Sequence, residues 1–366
     1  MGELPHRPVG VTSVGFVIPD LGRPSGGSTY DDQVVRAWPP EGPPVHPIAV
    51  PHPTPPDTLA VALRRHPVTL VDGLVGSEHP DVLAEAAEDG HAVVLLVHLP
   101  RPADSGLTDD DRERLAGLEA AALRTSQGVV VPSRWAAADL ERRYGVAGAV
   151  VAVPGVAPAP LSEPHRVPVI VQVGAIGPLK NQLLTAEALL ASGDLGLCVR
   201  FVGPVLDQPY ADRLAESLRP LGSRAQVHPG TDAAGVAALL AEAHLVVSVA
   251  TTETYGLTVT EGLARGLPAL VGRGTGAEEA LAAALSDPQD LPGAAVATDD
   301  PQELTIALRT FVQDSTTRAR WRAAAEVARG RLPRWDDTAR TIAAACGQRM
   351  TSSVQTSSPS TNLREG

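Results

Sequence analysis

Short runs of aliphatic and β-branched residues alternate with longer segments of helical period along almost the whole chain. The runs show little polar alternation, as in parallel strands that helices cover on both faces. This pattern predicts an α/β protein assembled from repeated βαβ units. In the first half of the chain the strand-like runs are Val11–Pro19, Val45–Val50, Val68–Asp72, Ala92–Leu99, Gly128–Pro132 and Ala149–Val153.

A proline-rich segment interrupts the alternation near the middle of the chain. Residues 156–168 (VAPAPLSEPHRVP) carry four prolines and no periodicity, which is typical of a linker. The alternation then resumes, so two successive arrays predict two doubly wound Rossmann-like domains that face a central cleft. We place the domains at residues 1–160 and 161–332, a further helical segment at 333–348, and a disordered Ser/Thr-rich tail at 349–366.

Composition excludes several classes of function. The formal net charge is −12 and no Lys/Arg run offsets it, so a nucleic-acid partner is not expected. The start, MGELPHRPVG, lacks the pattern of a signal peptide, and the longest apolar run is far shorter than the ~20 residues of a membrane span. Cys198 and Cys346 have neither metal-ligand nor disulfide spacing, and we expect both to be buried thiols in a reducing cytoplasm. The composition also hints at a high-GC bacterial source.

The strongest chemical signal is the segment ETYGLTVTE, which spans Glu253 to Glu261 and follows the strand-like run LVVSVA. A helix is expected to begin near Leu257, with Glu253 in the loop before it and Glu261 about one turn inside. Gly256 would allow close approach of the backbone to a ligand, and the free amides of the first turn would favour an anion. Taken alone, the segment is equally compatible with a purely structural interpretation, in which Glu253 is an exposed loop residue and Glu261 complements the helix dipole.

This segment resembles the Glu-x7-Glu motif of the retaining family-four glycosyltransferases, which have the GT-B fold. The resemblance implies that Glu253 contacts hydroxyls of the donor sugar and that Glu261 holds the ribose of the nucleotide. It also implies that the backbone of Tyr255 to Thr258, through Gly256 and Leu257, meets the sugar and the phosphate. The likeness covers about residues 9 to 347, and the helix that opens with Trp335 looks like the one that crosses back to the first domain.

A second matching segment, VGAIGPLKN, ends the first strand-like run of the second half. It looks like the family's loop in which an arginine and a lysine clamp the donor pyrophosphate. The lysine falls on Lys180, close to Gly174, whereas Ala175 stands at the usual arginine position. Arg273 is a candidate for the missing cation. Alone, Lys180 would be read as a solvated loop lysine.

Two segments of the first half also match. Gly26 and Gly27, after the first strand-like run and before a predicted helix, fall where the family has its glycine-rich loop. His98, at the carboxyl end of AVVLLVHLP, falls where the family places a histidine near the donor sugar. Each feature alone is more often structural, a simple turn or a buried histidine. Ser133 is expected to cap a helix, with Arg134 facing the cleft.

Together these matches mean that the resemblance implies a hexosyltransferase that uses a nucleotide-sugar donor and retains the anomeric configuration. The sequence has no spaced cluster of metal ligands, so we expect no metal and no cofactor beyond the donor substrate. Glu253, His98 and Lys180 are the candidate catalytic residues. Sequence leaves open the donor sugar and base, the oligomeric state, and whether the acceptor is a small molecule, a lipid or a glycan. Alternatives are an impaired sugar-nucleotide-binding protein, suggested by Ala175, and another GT-B enzyme such as a nucleotide-sugar epimerase.

Overall fold

A computed structural model describes residues 13–104, 106–163, 166–285 and 290–356 of the chain. These residues form two six-stranded parallel sheets, one in each half, with helices on both faces. The predicted α/β architecture of two doubly wound domains is therefore confirmed. None of the helices in the described ranges combines the length and apolar character that crossing a membrane requires.

The strands of both sheets are short, between two and seven residues. The first sheet contains β1 (Val14–Asp20), β2 (Val45–Pro51), β3 (Val68–Asp72), β4 (Ala92–Leu96), β5 (Gly128–Val131) and β6 (Val150–Val151). The second contains β7 (Val169–Val173), β8 (Cys198–Val202), β9 (Ala225–His228), β10 (Leu245–Ser248), β11 (Ala269–Gly272) and β12 (Gly293–Val296). The central strands are buried along their whole length, as the unbroken apolar runs predicted.

Helices connect most of these strands. The first domain contains α1 (Gly26–Arg36), α2 (Pro56–Leu63), α3 (Gly73–Gly76), α4 (Pro80–Glu88), α5 (Asp109–Thr125) and α6 (Arg134–Tyr144). The second contains α7 (Gln182–Ala191), α8 (Gln208–Leu218), α9 (Ala233–Ala241), α10 (Leu257–Leu263) and α11 (Ala277–Ala282). The chain then continues through α12 (Pro301–Gln313), α13 (Ser315–Ala328) and α14 (Trp335–Thr356).

The order of the strands locates the crevice in each sheet. In the first sheet the order is β2-β1-β3-β4-β5-β6, so the chain changes direction between β1 and β3. In the second it is β12-β11-β10-β7-β8-β9, and the change falls between β7 and β10. Ligands of doubly wound sheets bind beyond the carboxyl ends of the strands at these points. The loops after β1, β3, β7 and β10 therefore border the expected ligand-binding crevices.

The last helix completes the first domain. The α14 helix packs against α1 and against β3 to β6, and Ile342 and Cys346 are buried there together with Phe16 of β1. Where the chain crosses over, a Cβ atom on Gly155 would lie 2.0 Å from the backbone nitrogen of Trp335. The two segments between the domains are thus in direct backbone contact at a position where only glycine fits.

The structure differs from the sequence-based boundaries at two helix ends. A capping box between Ser25 and Ser28 starts α1 at Gly26, so Gly26 and Gly27 form the first turn of a helix and not a loop before it. At the other end of the chain α14 runs to Thr356, past the predicted boundary at 348, and the rest of the predicted tail lies outside the described residues. Both cysteines are free, but only Cys346 is fully buried, since Cys198 is half-buried.

Candidate active site

The loop after β7 is shaped by hydrogen bonds that hold its backbone in place. Gln172 donates through its side-chain amide to the carbonyl of Lys180 (2.6 Å), and Gln182 donates to the carbonyl of Ala175 (2.9 Å). Gly174 has a φ of +152°, and a Cβ atom there would lie 3.0 Å from Cγ of Lys180. The lysine stem therefore passes directly over Gly174, where a larger residue would displace it.

An ion pair joins the loops on the two sides of the crevice in the second sheet. Nζ of Lys180, in the loop after β7, lies 2.5 Å from Oε2 of Glu253, in the loop after β10. The side chains are 28% and 14% exposed, so both charged groups remain partly open to solvent. Lys180 is also the single lysine of the chain. The structure thus brings together two sequence-predicted residues that are 73 positions apart in the chain.

Glu261 lies inside α10, about one turn after the helix begins at Leu257. Burial raises the pKa of its carboxyl, and the guanidinium of Arg265 offsets part of that effect. Arg265 donates to the backbone carbonyl of Glu261 (2.9 Å), so the charge nearest to the carboxylate comes from the turn that follows α10. A half-buried carboxylate in this position can accept hydrogen bonds from two neighbouring hydroxyl groups.

The backbone between the two glutamates is held in a strained turn. Gly256 precedes α10 with φ +95° and ψ 68°, a left-handed conformation that favours glycine, and no side chain caps the helix. Tyr255 is 3% exposed, and its hydroxyl is a buried group without a hydrogen-bond partner among the described residues. Leu257 and Thr258 are half-buried at the start of the helix.

On the side of the first domain, the start of α1 meets His98. A Cβ atom on Gly27 would lie 3.1 Å from Cδ2 of His98, and one on Gly26 would lie 3.9 Å from Cδ1 of Leu257. The first turn of α1 therefore lies between His98, which follows β4, and the start of α10 in the other domain. This places the predicted residues of both domains around one cleft.

Two buried carboxylates hold His98, and sequence reasoning missed both. Nε2 of His98 lies 2.9 Å from Oδ1 of Asp31 on α1 and 3.5 Å from Oδ2 of Asp72 at the end of β3. Burial alone lowers the pKa of His98, but the two carboxylates outweigh it and raise the pKa to about 9. Asp72 could have been found, because it is the charged residue that ends the wholly buried strand β3, beside the strand that leads to His98.

The same three groups are compact enough for metal coordination. Asp31, Asp72 and His98 each offer one ligand-type atom, and these atoms lie within 4.8 Å of one another. The spacing along the chain had suggested no such cluster, since the residues come from three separate elements. The hydrogen bond to Asp31 already satisfies Nε2 of His98, whereas Oδ2 of Asp31 is a buried atom without a hydrogen-bond partner among the described residues.

The first turn of α6 binds directly to the second domain. Ser133 caps the helix as predicted, accepting from the amide of Ala136, and its hydroxyl also donates to the carbonyl of Thr254 (2.5 Å). The amides of Arg134 and Trp135 donate to the carboxylate of Glu279, and Nε1 of Trp135 donates to the carbonyl of Gly274 (2.7 Å). Arg134 itself has an 85% exposed side chain, 3.7 Å from Glu279.

A cleft of about 410 Å³ opens between the domains beside the Lys180 loop. Pro178, Leu179, Thr251 and Thr252 form its wall on the second domain. The opposite wall includes Arg112 and Arg143 of the first domain. The volume falls within the range of about 300–1,000 Å³ that small-molecule sites occupy.

The prediction that Arg273 supplies the missing cation of the loop after β7 is wrong. Arg273 was a candidate to replace the cation missing at Ala175, but its guanidinium pairs with Glu303 (2.7 Å), at the start of α12. Ala175 contributes its backbone carbonyl to the loop through the bond from Gln182, and no charge. The cation that the described structure places in this loop is therefore Lys180.

Solved structures define the class of fold. Sucrose-phosphate synthase from Thermosynechococcus elongatus matches with a TM-score of 0.74 at 17% identity, over 94% of this chain and 100% of that chain. HepE of Anabaena, in complex with UDP and glucose, matches with a TM-score of 0.70 at 16% identity, over 94% and 99%. The catalytic domain of starch synthase IV from Arabidopsis thaliana, bound to ADP and acarbose, gives 0.68 at 13%, over 94% and 100%. The protein has the fold of these GT-B enzymes.

A protein-family model matches the second domain of the chain. Residues 157–327 match the family model described as glycosyl transferases group 1. No curated protein sequence matches the chain significantly. The matched segment contains Lys180, Glu253 and Glu261.

Proposed function

We propose that this protein is a cytoplasmic bacterial hexosyltransferase that moves a sugar from a nucleotide-sugar donor to a hydroxyl group of an acceptor. The observation that carries the proposal is the ion pair between Lys180 and Glu253 at the crevice of the second sheet, with Glu261 in the first turns of α10 beyond it. These residues supply a cation for phosphate and two carboxylates for sugar hydroxyls. The neighbours solved with UDP and glucose or with ADP and acarbose are consistent with such ligands.

In the proposed reaction the donor binds to the second domain, where its phosphates contact Lys180. The bond between the anomeric carbon and the phosphate oxygen breaks, and the acceptor oxygen bonds to the same carbon. Lys180 stabilises the charge that develops on the leaving nucleoside diphosphate. Following the family resemblance, attack occurs on the face that the phosphate leaves, so configuration is retained and the acceptor proton passes to the leaving phosphate. The protein then supplies no nucleophile, and we propose no metal in this step.

The proposed roles of the two glutamates differ because their surroundings differ. Glu253 is already engaged with Lys180, so a donor must share or replace that ion pair when its phosphates reach the lysine. Glu261 has only Arg265 as a charged neighbour and can accept directly from a diol such as that of a ribose. We therefore propose that Glu253 holds the sugar and that Glu261 holds the nucleoside.

Isothermal titration against a panel of nucleoside diphosphates and nucleotide sugars tests this proposal. We expect saturable binding of one nucleotide by the wild type, at least about tenfold weaker in Glu261→Ala because two hydrogen bonds to a charged group are lost. Glu187→Ala, at an exposed position of α7 away from the cleft, is the matched control and should bind normally. Failure of the folded wild type to bind any of these ligands would overturn the donor site.

Turnover separates an enzyme from a protein that only binds. Release of free nucleoside diphosphate from the bound donor, by transfer or by slow hydrolysis, supports the glycosyltransferase. Tight binding without release across a wide acceptor panel would favour the sugar-nucleotide-binding alternative, for which the uncharged Ala175 is the structural reason.

A further inference from the structure

Three residues of α1 contact the imidazole ring of His98. Its Nε2 is within hydrogen-bond distance of Asp31, and the Cδ2 side of the ring lies against Gly27. Tyr30 contacts the ring edge-on at a centroid distance of 4.9 Å. The ring is therefore fixed on three sides by α1, the helix that begins beside the donor-side residue Leu257.

The other ring nitrogen faces open space. Nδ1 of His98 has no hydrogen bond within the described structure, yet it is not among the buried polar atoms that lack a partner. The side chain is 17% exposed, whereas that of Asp31 is fully buried and that of Asp72 is 5% exposed. The exposed part of the imidazole is thus the edge opposite to the carboxylates.

We propose that Asp31 is a positioning residue, whose carboxylate holds His98 through Nε2–H and thereby presents Nδ1 to the substrate in the cleft. The inference deepens the proposed glycosyltransferase function and rests on it for the identity of the substrate. Asp72 stands behind the same nitrogen, and its own Oδ1 is occupied by the amide of Leu74 (2.6 Å). Asp31, in direct hydrogen-bond contact, is the group that sets the orientation of the ring.

The chemistry of the carboxylate decides what Nδ1 does. A carboxylate accepts only, so Nε2 must carry a proton. Because the pKa of His98 is raised to about 9, Nδ1 is also protonated at neutral pH. It then donates a hydrogen bond to an oxygen of the donor sugar or its phosphate. Without Asp31 the imidazole would lose both its orientation and the charge that keeps it a donor.

Long-range ¹⁵N–¹H NMR of the histidine side chains tests the orientation without any substrate, with His98 assigned from the spectrum of His98→Gln. In the wild type we expect a hydrogen-bonded, slowly exchanging Nε2–H and a solvent-exchanging Nδ1–H. In Asp31→Asn the Nε2 signal should shift. The pKa at which the doubly protonated ring of His98 becomes neutral should also be lower than in the wild type. A wild-type spectrum in which Nδ1 carries the protected proton, or an unchanged His98 signal in Asp31→Asn, overturns the proposal.

Kinetics with a donor that the wild type turns over tests the consequence for the reaction. Asp31→Asn should lower kcat at least about tenfold while KM for the donor changes little, because general acid–base and donor groups act mainly on the chemical step. Asp32→Asn, the adjacent exposed aspartate of α1, is the control and should retain wild-type kcat. Equal kcat in the two variants also overturns the proposal. If the wild type turns over no donor, the proposed function fails, while the NMR result still decides the role of Asp31.

Discussion

In the proposed function, Lys180 is the residue on which donor binding depends most directly. Its ammonium group is held by Glu253 before any ligand arrives, so the positive charge is already oriented at the crevice. Such preorganisation lowers the cost of ordering the side chain when a phosphate binds. The missing arginine at position 175 leaves this single cation to carry the charge of the pyrophosphate within the loop.

We expect Lys180→Gln to weaken binding of the nucleoside diphosphate by roughly 10- to 100-fold, because a charge-assisted hydrogen bond contributes about 1.5–3 kcal/mol. Titration calorimetry measures the change. Arg219→Gln removes an exposed cation on the far side of the second domain and serves as the control. Equal affinities in the two variants would show that the phosphates bind elsewhere.

The carboxyl of Glu261 predicts a pH dependence of donor binding. Burial raises its pKa, and sugar hydroxyls donate best to the ionised form. Affinity for a nucleotide sugar should therefore be full well above that pKa and fall as the pH drops through it. Calorimetry between about pH 8 and pH 5 tests this, since the phosphates of a nucleotide sugar do not titrate in that range. Glu261→Gln should bind weakly with a flat profile, and a slope that persists in this variant would contradict the assignment.

Among the helices and strands, sequence was most informative where the local pattern was strong. The apolar runs predicted the buried strands, and a Thr108 cap followed by three aspartates marks the start of α5 in the chain itself. The start of α1 was misplaced because the reciprocal bonds of Ser25 and Ser28 outweigh the low helix propensity of two glycines. The partnership of Asp31, Asp72 and His98 could not be predicted, because it depends on how three distant elements pack.

Glu119 of α5 joins several elements of the first domain. Its buried carboxylate accepts from the hydroxyl of Tyr144 on α6 (2.6 Å) and from the amide of Arg101 (3.1 Å). Burial raises the pKa of this carboxyl, although the hydrogen bonds offset part of the shift. The folded protein therefore binds a proton here more tightly than the unfolded chain does.

This raised pKa has a measurable effect on stability. The contribution of Glu119 to the free energy of unfolding should fall as the pH rises from about 4.5 through the folded-state pKa, since the folded state then holds more protons than the unfolded state. In urea unfolding, Glu119→Gln should remove that slope, so its stability relative to the wild type should increase with pH. Glu113→Gln, an exposed position on the same helix, should leave the slope unchanged. Parallel pH profiles of wild type and Glu119→Gln would refute this account.

At the scale of the whole molecule, the contacts of α6 hold the two domains together beside the donor site. Ser133, Arg134 and Trp135 bind the backbone of the Glu253–Gly256 loop and the carboxylate of Glu279. The same loop carries the glutamate that pairs with Lys180, so the separation of the domains and the shape of the donor site are physically linked.

Removing the carboxylate at this contact should therefore loosen the cleft. We expect Glu279→Ala to increase the radius of gyration measured by small-angle X-ray scattering, because two backbone amides of α6 lose their acceptor. Glu278→Ala is the control, since Glu278 accepts from Gly274 of its own domain. Identical scattering from the two variants would indicate that the crossing segments near Gly155 and Trp335, rather than α6, set the separation.

Because Lys180 is the single lysine in a chain rich in arginine, amine chemistry can label the proposed donor site selectively. The amines that acylating reagents can modify are the ε-amine of Lys180 and the amino terminus, so mass spectrometry of the proteolytic peptide that contains Lys180 reports directly on the crevice of the second sheet. A nucleotide sugar that occupies the lysine will slow acylation at that single position and leave the amino terminus as an internal standard. The site can thus be screened for its natural donor before any acceptor is known.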